Sequence, residues 1–299
     1  MKITVFNFNG IYNTLVNYLS AKGELEPDWK KADVLVMWQD VLGEAINIAK
    51  EAKAMKKKVV CGEHGLMSIN DYVPPLSREL LADKYMCWGN YSRDYLIRHT
   101  DIDPNRLVVT GTTIFDGFGA KKIHQGKNIL FAPRHWDVEL NENLAIVEQL
   151  KKLKGVRVLS KIVAGEHNPD NYLNPIATDR QSGDHLLKTW QLLANTDVLV
   201  TVGEGTIACL AYYMNVPVVS SREWEDKVLL GKLYTQDVFN EQVSYACHMV
   251  SIKDLNKTIM SEIKHPKQYE TKRLNFLNEY VNYGSEITAL ERQLKVIYE

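Results

Sequence analysis

"ANTDVLVTVGEGTIACLAYYMNVPVV", residues 194–219, decides the reading of the fold. An apolar run ending at Val202 meets two glycines with a glutamate between them. A helical stretch follows, and then a second apolar run. Continuously apolar strands joined through a helix imply a parallel sheet covered on both faces. At the turn, the backbone N–H groups of Gly205 and Thr206 open a helix without intrahelical partners, a place where phosphate binds well, and the Thr206 hydroxyl adds a donor. Glu204 would repel a phosphate placed directly beside it. It suits either the hydroxyls of a sugar or ribose one group further away, or the dipole of the helix.

The same rhythm extends outward in both directions. Strands are expected in "KITVFNF" (2–8), "ADVLVMW" (32–38), "KKVVCG" (57–62), "KYMCWG" (84–89) and "RLVVTG" (106–111), with helical spacing in "YNTLVNYLSAK" and "GEAINIAKEAKAM". The glycine- and lysine-rich "GFGAKKIHQGK" (117–127) breaks the pattern and reads as a linker. The pattern restarts with "NILFAPRHW" (128–136), a helix across "NENLAIVEQLKKLKG", then "VRVLSKIV" (156–163), "DVLVTVG" (197–203) and "VPVVSS" (216–221). The expected organisation is an α/β chain of two parallel-sheet halves, 1–120 and 121–270, followed by a terminal helix over 271–299. Ligands in such sheets sit beyond the carboxyl ends of the strands, so two facing halves would enclose a cleft lined by strand-end loops.

Composition is that of a globular chain: 299 residues, 45% hydrophobic, 24% charged, formal net charge -1. That balance gives no overall pull toward nucleic acid or anionic lipid, although a local basic groove remains open. Cys61, Cys87, Cys209 and Cys247 are scattered without CxxC spacing, which favours a reduced, cytoplasmic chain over a disulfide-stapled one. "MKITVFNFNG" lacks the apolar core of a signal peptide, and no apolar run has the length of a transmembrane segment. HxxxH and HExxH spacings are absent, as is a GxSxG elbow, so neither a metal site nor an α/β-hydrolase is expected.

Three further strand ends carry chemistry. "VVCGEHGL" (59–66) delivers Glu63 and His64 between Gly62 and Gly65. A histidine there suits a general base acting on a hydroxyl, or a hydrogen-bonded residue of a tight turn. In "NILFAPRHW", Arg134 offers a fork for a diphosphate and His135 a further donor; the other reading is an exposed pair beside a tryptophan. In "VLSKIVAGEHNPDNY" (158–172), Lys161 could meet phosphate as a point charge or simply be solvated, and "HNPDN" is ordinary turn chemistry. Asn9 and Gly10, after the first strand, form a weaker candidate loop.

The order "GEHG", "VVTGTTIFDGF" (108–118), "ILFAPRHW" and "LLANTDVLVTVGEGTIACLAYYMNVPVV" resembles the CDP-glycerol glycerophosphotransferase group of teichoic-acid polymerases, and is similar to UDP-N-acetylglucosamine 2-epimerase and to GT-B glycosyltransferases generally. The likeness covers roughly residues 57 to 221 and includes Gly111 and Asp116 as a Gly-x-x-x-x-Asp segment. It implies two Rossmann-like domains, acceptor in the first and nucleotide donor in the second, with the final helix crossing back to the first. His64 would match the catalytic base, and Arg134, His135, Gly205 and Thr206 the donor contacts. Two departures stand out. Gly203-Glu204-Gly205-Thr206 replaces the Asp-Tyr-Ser-Ser turn of the first family, and its compact His-Pro is replaced by His167-Asn168-Pro169.

The function expected is a metal-independent glycosyltransferase without a bound cofactor, using a nucleotide-diphosphate sugar, UDP foremost, as co-substrate. Arg134, His135, Lys161, Glu204, Gly205 and Thr206 would line the donor side, and Asn9, Gly10, Glu63 and Gly65 the acceptor side. The acceptor is open among a surface or lipid-linked glycan, a small molecule and a hydroxymethylated DNA base. Glycerophosphate transfer, epimerisation of a UDP-sugar and non-catalytic nucleotide-sugar binding are the alternatives.

Overall fold

A computed structural model describes residues 1–7, 10–40, 43–63, 65, 79–116, 126–134, 140–165, 167–179, 185–202, 205–221, 248–266, 270–282 and 284–299. The chain divides into two compact units, one made of Met1–Gly117 with Leu277–Glu299, the other of Phe118–Phe276.

In the first unit, β1 (Ile3–Val5), β2 (Val34–Met37), β3 (Lys58–Gly62), β4 (Lys84–Cys87) and β5 (Leu107–Val109) form a parallel sheet in that spatial order. Their interiors are apolar on both faces; Ile3, Leu35, Val36, Val59 and Val60 are wholly buried. Helix α1 (Asn13–Ala21) follows β1, α2 (Gly43–Ala54) follows β2, and α3 (Asn90–His99) follows β4. Leu25 adds a parallel bridge to Ile3, and the Ile3 amide donates to the Glu24 carbonyl at 2.9 Å. This bridge lies on the side of β1 away from β2. The chain therefore steps outward first and then reverses, which puts the topological switch point between β1 and β2.

The second unit holds β6 (Asn128–Ala132), β7 (Arg157–Val163), β8 (Pro175–Thr178), β9 (Val198–Val202), β10 (Val218–Ser221) and β11 (His248–Val250), all parallel, in the order β11-β10-β9-β6-β7-β8. Numbered within the unit, that is the 3-2-1-4-5-6 order of a dinucleotide-binding sheet, with its switch point between β6 and β9. Reciprocal bonds of 2.8 Å, from the Asn128 amide to the Asp197 carboxylate and from the Asp197 amide to the Asn128 carbonyl, align the starts of those two strands. Its described helices include α4 (Leu140–Leu150), α5 (His185–Ala194), α6 (Thr206–Tyr213) and α7 (Leu255–Lys264).

The division between units falls inside α8 (Glu270–Val281). Its first turns belong to the second unit, where the buried Arg273 guanidinium donates to Asn215 Oδ1 at 2.5 Å and to the Pro266 carbonyl at 2.8 Å. Its last turn belongs to the first unit, where Tyr280 stacks on Tyr91 with ring centroids 4.4 Å apart. The last helix, α9 (Ala289–Tyr298), opens on a Thr288–Glu291 capping box. Arg292 Nε donates to the Thr110 carbonyl at 2.7 Å, and Lys58 Nζ to the Val296 carbonyl at 2.6 Å, so an ammonium sits at the negative end of this helix. The terminal stretch, expected as one helix, is thus two, separated by a turn with left-handed backbone at Asn282 and Gly284 (φ 51° and 86°).

The apolar runs read from sequence correspond to β1–β7, β9 and β10. β8 and β11 were not anticipated. Among the described residues no helix is long and apolar enough to cross a membrane.

Candidate functional site

β6 and β9 are paired neighbours, with Ala132 opposite Thr201. Three of the residues singled out from sequence follow directly. Arg134 lies two positions beyond the end of β6, and Gly205 and Thr206 open α6 beyond the end of β9. The topology therefore brings to one crevice what lies some seventy positions apart in the chain.

Gly205 is the N-cap of α6, in extended backbone (φ -166°, ψ -173°), with no side-chain cap. A methyl group built on it meets nothing within 4 Å. The amides of Thr206 and Ile207 have no partner among the described residues, as the first turn of a helix leaves them. The helix start is thus half-exposed, with donors aimed outward and space for another molecule to approach the backbone.

Across the switch point, the backbone of Arg134 is held on both sides. Its amide donates to Asn143 Oδ1 at 3.3 Å, and its carbonyl accepts from Asn143 Nδ2 at 2.7 Å and lies 3.1 Å from His167 Nε2. Asn143 comes from the first turn of α4, whose neighbour Glu142, also buried, takes the Ser221 hydroxyl at the end of β10. Lys161 follows Ser160, the partner of Phe131, so strand alternation puts it on the sheet face that carries Ala132 and Thr201. His135 and Glu204 lie outside the described residues.

At the corresponding strand ends of the first unit, Gly10, Gly62, Glu63 and Gly65 are among the described residues. Gly10 turns the loop after β1 at φ 76°, where a methyl group would stand 2.9 Å from Asn13 Nδ2. Glu63 is buried. Its carboxylate accepts the Trp88 amide on one oxygen and the Ser92 hydroxyl on the other at 2.8 Å, and its carbonyl accepts Trp88 Nε1 at 2.9 Å. Burial pushes its carboxyl up to about 8 against the opposing pull of those two donors. Tyr12 reaches beneath this turn. Its phenol oxygen has no partner among the described residues, and a methyl group on Gly62 would lie 2.2 Å from it. Gly65 is half-buried; Asn9 and His64 lie outside the described residues.

A cavity of about 670 Å³ lies at the opposite, amino-terminal end of this sheet, lined by Lys53, Lys56, Lys57, Lys58 and Lys84 together with Asp83 and Glu299. Four of these ammonium groups already hold a carboxylate or a carbonyl of the chain, and ligands of open α/β sheets bind at the other end. We therefore place the candidate site at β6 and β9. Sequence reasoning missed Asn143 and treated His167 as turn chemistry. The only signal at either was a polar side chain near the start of an element. Among the described residues no cluster of three or more His, Cys, Asp or Glu could hold a metal ion.

No protein-family model and no curated protein matches the chain. Solved structures do. The wall teichoic acid polymerase TagF soaked with CDPG matches at a TM-score of 0.60 and 12% identity, over 100% of this chain and 89% of that one. S. aureus MnaA in a co-structure with UDP matches at 0.64 and 15%, over 100% and 98%. UDP-GlcNAc 2-epimerase from Neisseria meningitidis, bound to UDP-GlcNAc, matches at 0.55 and 17%, over 95% and 80%. At these identities the likeness shows the fold, which is the GT-B architecture of two Rossmann-like units.

Proposed function

We propose that this chain is a glycosyltransferase that moves a sugar from a nucleotide-diphosphate sugar, UDP-linked foremost, to an acceptor hydroxyl. The observation that carries the reading is the switch point between β6 and β9, with Arg134 on one side and the open start of α6 on the other. A diphosphate there would meet a guanidinium fork and outward-pointing amides, the two groups best suited to it.

In the proposed reaction the acceptor oxygen bonds to the anomeric carbon as the bond from that carbon to the diphosphate oxygen breaks. His64 takes the acceptor proton. Arg134, His135, Lys161 and the Gly205–Thr206 amides receive the negative charge that grows on the leaving nucleotide diphosphate, so no metal ion is invoked. Glu204 orients donor hydroxyls. Asn9, Gly10 and Gly65 border the acceptor, and Glu63 supports them from beneath by anchoring its turn to α3. The acceptor stays open among a glycan, a small molecule and a hydroxymethylated DNA base.

The likeness to two proteins bound to UDP or a UDP-sugar supports the donor class, and the likeness to an epimerase favours a second reading, isomerisation of a UDP-sugar. Thermal-shift screening against UDP, CDP, GDP and TDP conjugates tests the donor, since a ligand of the folded state raises the melting temperature. No shift with any of them removes the proposal. Incubating the chain with UDP-sugars and no acceptor separates the two readings, because only an epimerase would then yield an isomer. His64→Ala should abolish transfer and leave donor affinity unchanged.

A further inference from the structure

We propose that His167, together with Asn143, is a positioning residue: the two fix the backbone of Arg134 where β6 ends and act on a bound nucleotide diphosphate only through that arginine. The inference rests on the reading of Arg134 as a diphosphate ligand.

The ladder of β6 ends at Ala132, and Pro133 has no N–H to give. Arg134 is therefore the first residue past the strand with both a donor and an acceptor to satisfy. Asn143 takes both, as a neighbouring strand would, and His167 occupies the remaining lone pair of the carbonyl. The imidazole is held in turn. Its Nδ1 accepts the Val163 amide at 3.1 Å, which assigns the proton to Nε2 and aims it at the Arg134 carbonyl. The edge of Tyr172 closes on the ring, with centroids 5.5 Å apart at 77°. Tyr172 also packs against Phe131 of β6.

Two features separate this arrangement from direct ligand contact. Both ring nitrogens of His167 are engaged within the chain, so none is left over for phosphate. The groups that hold the Arg134 backbone are a side-chain amide and an imidazole whose Nδ1 serves as acceptor, and neither of these two is an anion. An arginine side chain has many rotamers, and its fork is useful only when its Cα is placed. The clamp places it.

The test has two arms, both on the full chain. Amide hydrogen exchange at Arg134 needs no ligand: it should quicken in His167→Ala and Asn143→Ala and return toward the wild-type rate in His167→Gln, whose amide can donate to the same carbonyl. Unchanged exchange in both alanine variants overturns the proposal. The second arm measures UDP affinity by calorimetry. Arg134→Ala should weaken it by a factor of about 10 to 100 and His167→Ala by about tenfold, while His167→Ala added to Arg134→Ala should cost nothing more, because the two act as one unit. A further loss of the same size in the double variant means that His167 meets the ligand itself, and the proposal fails. Affinity kept in Arg134→Ala sinks the reading of the site, and the purpose of the clamp with it. Affinity lost in Arg134→Ala but kept in His167→Ala sinks the positioning role alone.

Discussion

Two of the described helices have a glycine N-cap just past a buried strand, α3 at Gly89 and α6 at Gly205, and neither has a side-chain cap. A methyl group on Gly89 would lie 2.1 Å from the Glu279 carbonyl oxygen and 2.4 Å from the Tyr280 carbonyl carbon, whereas one on Gly205 would meet open space. Beside the start of α3 the chain places its own carboxyl group, with Glu63 holding the Trp88 amide and the Ser92 hydroxyl; at the start of α6 the Thr206 and Ile207 amides have no partner among the described residues. The same local sequence logic thus serves two ends. One glycine lets backbone pack on backbone, and the other leaves room for something that is not part of the chain.

Substitution breaks this comparison most sharply at the closed end. Gly89→Ala must displace backbone of α8, and chemical denaturation should show a loss of about 3 kcal/mol; a variant as stable as wild type would mean that α8 does not seal this start. Next comes the pH response of Glu63. Its folded-state carboxyl titrates near 8 instead of the ordinary 4.5. The fold therefore binds the proton more tightly than the unfolded chain does, and the associated stability, full below 4.5, is lost as pH rises through 8. Denaturation across that interval should show a fall of up to about 1.4 kcal/mol per pH unit, absent in Glu63→Gln.

The open end should respond in the opposite sense. Gly205→Ala should change stability by only about 0.5 kcal/mol yet weaken UDP binding about tenfold, since a phosphate could no longer approach the backbone. Calorimetry beside a melting curve reads both, and equal effects on fold and ligand would erase the contrast with Gly89. The smallest effect is expected of Thr206→Val, which removes one hydroxyl and keeps the helix start: about threefold in UDP affinity, with the melting temperature unmoved.

Much of the architecture was legible because parallel strands covered on both faces read as unbroken apolar runs. β8 and β11 escaped for a common reason, since they form the two edges of the second sheet. β8 begins with Pro175, which has no ladder donor, and most of its residues are only partly covered; β11 is a mere three residues long. The single bridge at Leu25 that reverses the order of the first sheet left no pattern to read. At the site, Arg134, Gly205 and Thr206 could be picked out because strand ends are where such sheets hold ligands. The burial of Glu63 could not, because Trp88 and Ser92 lie 25 and 29 positions further along. Nor could the grip on Arg134, which depends on side chains 9 and 33 residues distant.

The unit that contains Arg134 is one continuous stretch, whereas the other is assembled from residues 1–117 and 277–299. On the ribosome this inverts the usual amino-to-carboxyl order of maturation. The segment translated first must wait for α9, whose Val296 and Ile297 carbonyls receive Lys58, while the whole of the later unit emerges in between. At ordinary elongation rates that wait is on the order of ten seconds, during which the nascent amino-terminal sheet lacks its covering helix.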